Sequence, residues 1–290
     1  MLLLAIASAL ARTPPAYEYA GVKAQLAAHC EMPEPRSDKT AQYSMMYGLF
    51  LWPLRELSSG KLLEIGLGCD QGSGPGASAR SWRKWLPNLE LWEAEYDAAC
   101  VENNRGKMDK FGINALVGDQ SNRTDLRRWL VESGGAFSAV IDDGSHRNAD
   151  IMASFEELWP HVLPGGVYFI EDMITGRPAR WDNTRGDRVV SDILQAWSDQ
   201  LMVGPFAGMR QHPSKANQYA AEMRAKFPKP KDVAFVFCQY SACALGKAGS
   251  AARADRPDIQ TRRLCRPDKS AAHVPHDMWR ARKGAGIRAE

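Results

Sequence analysis

From Lys61 onward the chain repeats one pattern. A short apolar run ends in glycine or a carboxylate, and a helical stretch follows. The apolar runs fall at Leu62–Ile65, Leu89–Ala94, Ala115–Val117, Phe137–Ile141 and Val167–Ile170. Between them the spacing predicts helices over Ser78–Leu86, Asp97–Lys110, Asp125–Val131 and Asn148–Leu163, the last closed by Pro164-Gly165-Gly166. A further helix is predicted over Val189–Leu201. Two closing strands, Val233–Cys238 and Ala242–Leu245, follow as a hairpin around Gln239-Tyr240-Ser241. Alternating strands and helices of this kind form a mainly parallel α/β sheet, here of seven strands, with helices on both faces. Such sheets bind ligands outside the carboxyl ends of their strands, at the point where strand order reverses.

The flanks read differently. Pro14 and Pro15 break the chain after Met1–Ala11, an apolar run too short to span a bilayer. That run reads either as a secretory leader without a preceding basic residue or as an apolar helix. The location expected is then the secretory pathway in the first case and the cytoplasm in the second. Helices are predicted over Tyr17–His29 and Ala41–Trp52, the second stopped by Pro53. Tyr43, Met46, Leu49 and Phe50 lie at helical spacing on it and form a packing face, as a cap or an oligomer contact. From Gly246 to Glu290 there are 11 Lys/Arg against 5 Asp/Glu with little aromatic interleaving. This is a solvated, disordered tail in composition and not a nucleic-acid surface. The expected organisation is an N-terminal segment (1–12), a helical cap (13–59), the α/β domain (60–247) and the basic tail (248–290).

None of the six cysteines has CxxC spacing, which excludes a zinc ribbon or thioredoxin motif. Cys238 and Cys243 fall on the two closing strands and read as small core or strand residues.

The strand ends carry the candidate chemistry. The first runs into Glu64-Ile65-Gly66-Leu67-Gly68, where glycine permits a tight turn and close ligand approach. The helix that follows points its positive end at the same crevice. Glu95, ending the second strand, can accept from ribose hydroxyls. Gly118-Asp119-Gln120 ends the third strand, where a carboxylate can bond an adenine amine. Glu64, just before the turn, can meet a ligand's cationic end. The fourth and fifth strands end in Asp142-Asp143-Gly144-Ser145-His146 and Glu171-Asp172. Neighbouring strands lie about 4.8 Å apart. Carboxylates crowded at that spacing repel, and a hard divalent ion such as Mg²⁺, or Mn²⁺, resolves the conflict.

In order and spacing, Glu64-x-Gly66-x-Gly68, Glu95 and Gly118-Asp119 resemble the class I S-adenosylmethionine-dependent methyltransferases. The glycine loop continues from Cys69 to Ser78, at the helix start. That longer loop is similar to the metal-dependent O-methyltransferases of macrolide-antibiotic sugars, of mycinamicin and macrocin type, and to the hard-surface-induced protein family. The likeness spans Lys61 to Arg177. It implies a Rossmann-like methyltransferase fold with S-adenosylmethionine held by Glu64, Gly66, Gly68, Ser78, Glu95, Asp119, Gln120 and Asp142. It also implies a metal triad of Asp143, Glu171 and Asp172, with His146 as general base and a hydroxyl of a sugar or other small molecule as acceptor. Asp142 is a cofactor or supporting residue, though the sequence allows it to exchange roles with Asp143. A homo-oligomer is compatible with this reading. The alternatives are a non-catalytic binding protein on the same fold and a nicotinamide-dependent oxidoreductase. The oxidoreductase motif wants a third glycine where Gln71 stands.

Overall fold

The computed structural model describes residues 37, 39–178, 180–181, 189–203 and 212–249, the side chains of 40–42 excepted. The apolar run Met1–Ala11, the helix expected over Tyr17–His29, residues 182–188 and the tail beyond 249 lie outside the described residues.

Seven strands form one sheet: β1 (Gly60–Ile65), β2 (Leu89–Glu95), β3 (Ile113–Val117), β4 (Phe137–Asp142), β5 (Val162–Ile170), β6 (Val233–Gln239) and β7 (Ala242–Lys247). Their order is β3-β2-β1-β4-β5-β7-β6, with β7 antiparallel to both neighbours and the other pairs parallel. Strand order therefore reverses between β1 and β4, which opens the crevice there. Seven described helices surround the sheet: α1 (Lys39–Phe50), α2 (Ala77–Trp85), α3 (Ala98–Lys110), α4 (Arg123–Ser133), α5 (Asn148–Leu158), α6 (Val190–Val203) and α7 (Lys215–Lys226).

Side chains alternate between the two faces of each strand. Leu63, Ile65, Val140 and Tyr168 pack with Trp129, Phe155 and Trp197 from α4, α5 and α6. Leu62, Ala139, Ile141 and Phe169 pack with Tyr47, Trp82 and Val101 from α1, α2 and α3. Local signals set the helix ends. Asp97, Asn122 and Ser214 cap α3, α4 and α7 by accepting from backbone N–H groups, and Gly134 closes α4 in the left-handed conformation.

Three expectations are corrected. Helix α5 stops at Leu158, and a 3-10 turn over Trp159–His161 leads into β5 at Val162. Pro160 has no N–H to extend the helix, and Val162 already pairs with Phe137. Helix α7 was not anticipated. None of its residues is buried, so it lacks the apolar stripe by which a helix announces itself. Cys238 and Cys243, expected as small core or strand residues, are paired: Cys243 is in the core and Cys238 is exposed. They face each other across the β6–β7 hairpin and form a disulfide, and Cys69 is bonded to Cys100.

Helix α1 is part of the core. Tyr43, Met46 and Tyr47 are buried, Phe50 stacks on Phe235, and Leu49 is half exposed. No helix among the described residues is long and apolar enough to cross a membrane.

Candidate active site

A cavity of about 740 Å³ lies at the carboxyl ends of β1, β2, β3, β4 and β5. Gly66 turns the chain out of β1 at φ +107°, and a Cβ there would stand 2.2 Å from the carbonyl oxygen of Asp143. Only glycine lets the β1 and β4 ends approach this closely. Gly66, Gly68, Ser78, Glu95, Asp119 and Gln120 all border the cavity. Glu95 is buried and accepts from the backbone N–H groups of Leu67, Tyr96 and Asp97 at 3.2, 2.9 and 3.1 Å. Those bonds fix its carboxylate at the rim. Asp119 is exposed there, and Cys69 of the glycine loop is anchored to α3 through Cys100.

Two residues expected on the cofactor lie behind the wall instead. Glu64 is fully buried; it accepts from Ser78 Oγ at 2.7 Å and Trp82 Nε1 at 2.9 Å. Asp142 is also buried, accepting from Gln120 Nε2 and Tyr168 Oη at 3.0 Å each and from Ser154 Oγ. Burial pushes the Asp142 carboxyl up, against those three bonds. Gln120 passes this order onward, because its Oε1 accepts from the backbone N–H of Ser145 at 2.6 Å. Asp142 thus supports the loop that carries His146; of the two aspartates, Asp143 borders the cavity and Asp142 does not.

The chemical residues meet at the other end of the cavity. Asp143 follows β4, with its N–H on Ile65, and Glu171 follows β5, with its N–H on Asp142. His146 sits at φ +58° and turns its Nε2 to within 3.9 Å of Asp143 Oδ1 and 3.6 Å of Asp172 Oδ2. Its Nδ1 is buried without a partner among the described residues.

Helix α1 reaches the same point with residues the sequence reading assigned only to packing or left out. Lys39, Tyr43 and Tyr47 are spaced i, i+4, i+8 and so share one helix face. Lys39 Nζ donates to Asp143 Oδ2 and Glu171 Oε1 at 2.8 Å each and lies 3.0 Å from Glu64 Oε1. The Tyr43 hydroxyl donates to Asp172, and that of Tyr47 to Glu171. Burial alone would lower the Lys39 pKa; Asp143, Glu171 and Glu64 outweigh it and hold the ammonium well above its ordinary value. Burial and the Asp143 charge push the Glu171 carboxyl well up, against Lys39 and Tyr47. Glu93, register partner of Glu64 on β2, is pushed up by burial and then by Glu64.

The three expected metal ligands do not converge on one point. Asp143, His146 and Asp172 form one group whose ligand atoms lie within 4.8 Å of one another, and Glu64, Asp143 and Glu171 form a second around Lys39. Asp143 belongs to both. The first group borders the cavity and offers two carboxylates, which fits Mg²⁺: that ion takes one or two carboxylates and completes its shell with water or ligand oxygens. The second group, of which Asp143 and Glu171 also border the cavity, has the Lys39 ammonium as its cation.

Sheet order, glycine turn and cavity together define the class I methyltransferase fold. The structure is similar to the MycE methyltransferase of the mycinamycin biosynthetic pathway, solved with Mg, SAH and mycinamycin VI. The TM-score is 0.57 at 22% identity, over 79% of this chain and 54% of that one. In sequence the chain is similar to mycinamicin VI 2''-O-methyltransferase of Micromonospora griseorubida, 37% identical over 116 residues (40% of this chain, 27% of that protein). Demethylmacrocin O-methyltransferase of Streptomyces fradiae is 37% identical over 129 residues (44% and 30%). The chain thus matches less than a third of the length of either relative. No protein-family model matches it.

Proposed function

We propose that this protein is an S-adenosylmethionine-dependent O-methyltransferase that uses Mg²⁺ and acts on a hydroxyl of a sugar or similar small molecule. One observation carries the reading. Asp143, His146 and Asp172 meet on the wall of the same cavity that Gly66, Gly68, Glu95 and Asp119 border. The O-methyltransferase activities of its relatives support it.

The glycine turn, Glu95, Asp119 and Gln120 bind and orient the cofactor. Asp143 and Asp172 are the residues that would hold the ion, with Glu171, which borders the same cavity, adding negative charge beside them. When bound, S-adenosylmethionine supplies an activated methyl group and the divalent ion makes the acceptor hydroxyl more acidic. His146 Nε2, between the two carboxylates, accepts the proton that the hydroxyl gives up. Tyr43 keeps the Asp172 carboxylate in place, and Gln120 holds the loop under His146. Fixing the two reactants in line contributes as much as the acid–base chemistry.

Calorimetry with S-adenosylhomocysteine, with and without Mg²⁺, tests the reading. Micromolar binding, about −8 kcal/mol, is expected. Transfer to sugar hydroxyls should stop in excess chelator. Absence of cofactor binding at millimolar ligand would overturn the proposal. Binding without transfer to any hydroxyl acceptor would leave a non-catalytic protein on this fold.

A further inference from the structure

Lys39 is 3% exposed, and its ammonium has three acidic neighbours within 3.0 Å: it donates to Asp143 and Glu171 and forms an ion pair with Glu64. Two of those carboxylates, Asp143 and Glu171, are ones that the family resemblance implies as metal ligands. Asp143 gives one oxygen to Lys39 and turns the other toward His146. An ammonium and a divalent ion therefore draw on the same charge from opposite sides of one carboxylate. Each cation repels the other, and each makes the other less necessary.

We propose that Lys39 is a built-in counter-ion that keeps the carboxylates paired in the metal-free protein and thereby lowers the affinity of the site for a divalent ion. The inference rests on the metal-dependent reading above, but its signature is a change in ion affinity and not in activity. At an effective dielectric of about 20, a unit charge a few ångströms from a divalent ion changes its affinity well over tenfold. Proton uptake by the stranded carboxylates reduces the gain, so about a tenfold tightening is expected when Lys39 is neutralised.

Mg²⁺ calorimetry and Mn²⁺ titration by electron paramagnetic resonance, without cofactor and at mildly alkaline pH, test this on four proteins. Lys39→Met should bind either ion about tenfold more tightly than wild type, and its melting temperature should be lower without ion and recover with it. Glu64→Gln should act with the opposite sign. It leaves Lys39 less compensated, so binding should weaken although Glu64 does not border the cavity. The double variant removes the pair and should bind close to wild type. Unchanged or weaker ion binding by Lys39→Met overturns the proposal. If Lys39→Met does not fold, the double variant decides: near-wild-type affinity supports the counter-ion, and a tenfold loss makes Lys39 a scaffold. Ion binding by Lys39→Met but not by wild type would support the inference while overturning Mg²⁺ dependence. No binding by any of the four would overturn both.

Discussion

The two ends of the cavity are built by different means. The cofactor end is made of backbone: a glycine turn, strand termini, and a Glu95 carboxylate pinned by three N–H groups that lie close to it in the sequence or just across the turn. The chemical end is made of side chains drawn from far apart. Lys39 stands 104 residues from Asp143 and 132 from Glu171. Backbone architecture tolerates change in its side chains and fails when its glycines acquire them. A side-chain network is the reverse, and each member can be removed while the sheet stands. The contrast predicts that variants at the chemical end alter turnover, and variants at the cofactor end alter binding or folding.

The largest expected effect is at the chemical end. His146→Ala should lower turnover by about 10²–10⁴-fold, the usual contribution of a general base, and leave S-adenosylhomocysteine affinity within a small factor of wild type. Parallel loss of cofactor affinity would show that the two ends are one unit. Next is Gly66→Ala, at the seam between them. Its Cβ would meet the Asp143 carbonyl oxygen at a φ that side chains rarely adopt. A cost of about 2–3 kcal/mol, or roughly 4–12 °C in Tm, is expected by thermal unfolding. A normal Tm would mean that the seam relaxes freely. Glu95→Ala should weaken S-adenosylhomocysteine by about 1–3 kcal/mol in calorimetry, with turnover at saturation nearly kept. A fall in saturated turnover instead would place Glu95 in the chemistry.

The smallest effect concerns the buried pair behind the wall. Glu93 has its carboxyl pushed up by burial and by Glu64, so the folded protein holds that proton more tightly than the unfolded chain. Stability is then lost as pH rises from the ordinary carboxylate range through the raised value. Glu93→Gln keeps a donor toward Glu64 without that loss. Its Tm relative to wild type should climb between mildly acidic and mildly alkaline buffer. A difference that stays flat with pH would show that Glu93 is ionised at no cost.

Most of the sheet was legible because its signals are local. Apolar runs ending in glycine or acid mark β1 to β4 within a residue or two. The early start of β5 was hidden because Leu163-Pro164-Gly165-Gly166 reads as a helix stop and a turn, whereas Val162 gains its partner only across the sheet. At the site, Gly66, Gly68, Glu95, Asp119 and Gln120 border the cavity because they follow strand ends, whereas Ser78, at the start of α2, was expected there only from the family resemblance. Glu64 and Asp142 were not, since a strand position fixes which face a side chain takes but not whether a ligand or a neighbouring helix covers it.

The sequence by itself determined the succession of strands and helices along the chain, the glycine turn and the carboxylates that follow the fourth and fifth strands. Each depends on residues adjacent in the chain or on the fixed geometry of paired strands. Only the tertiary structure decided how those carboxylates are neutralised. Lys39, Tyr43 and Tyr47 occupy a helix whose apolar positions announce packing, and nothing near them in sequence marks them as partners of Asp143, Asp172 and Glu171. A buried charge must find its counter-charge, but that requirement acts through space and leaves no period in the chain.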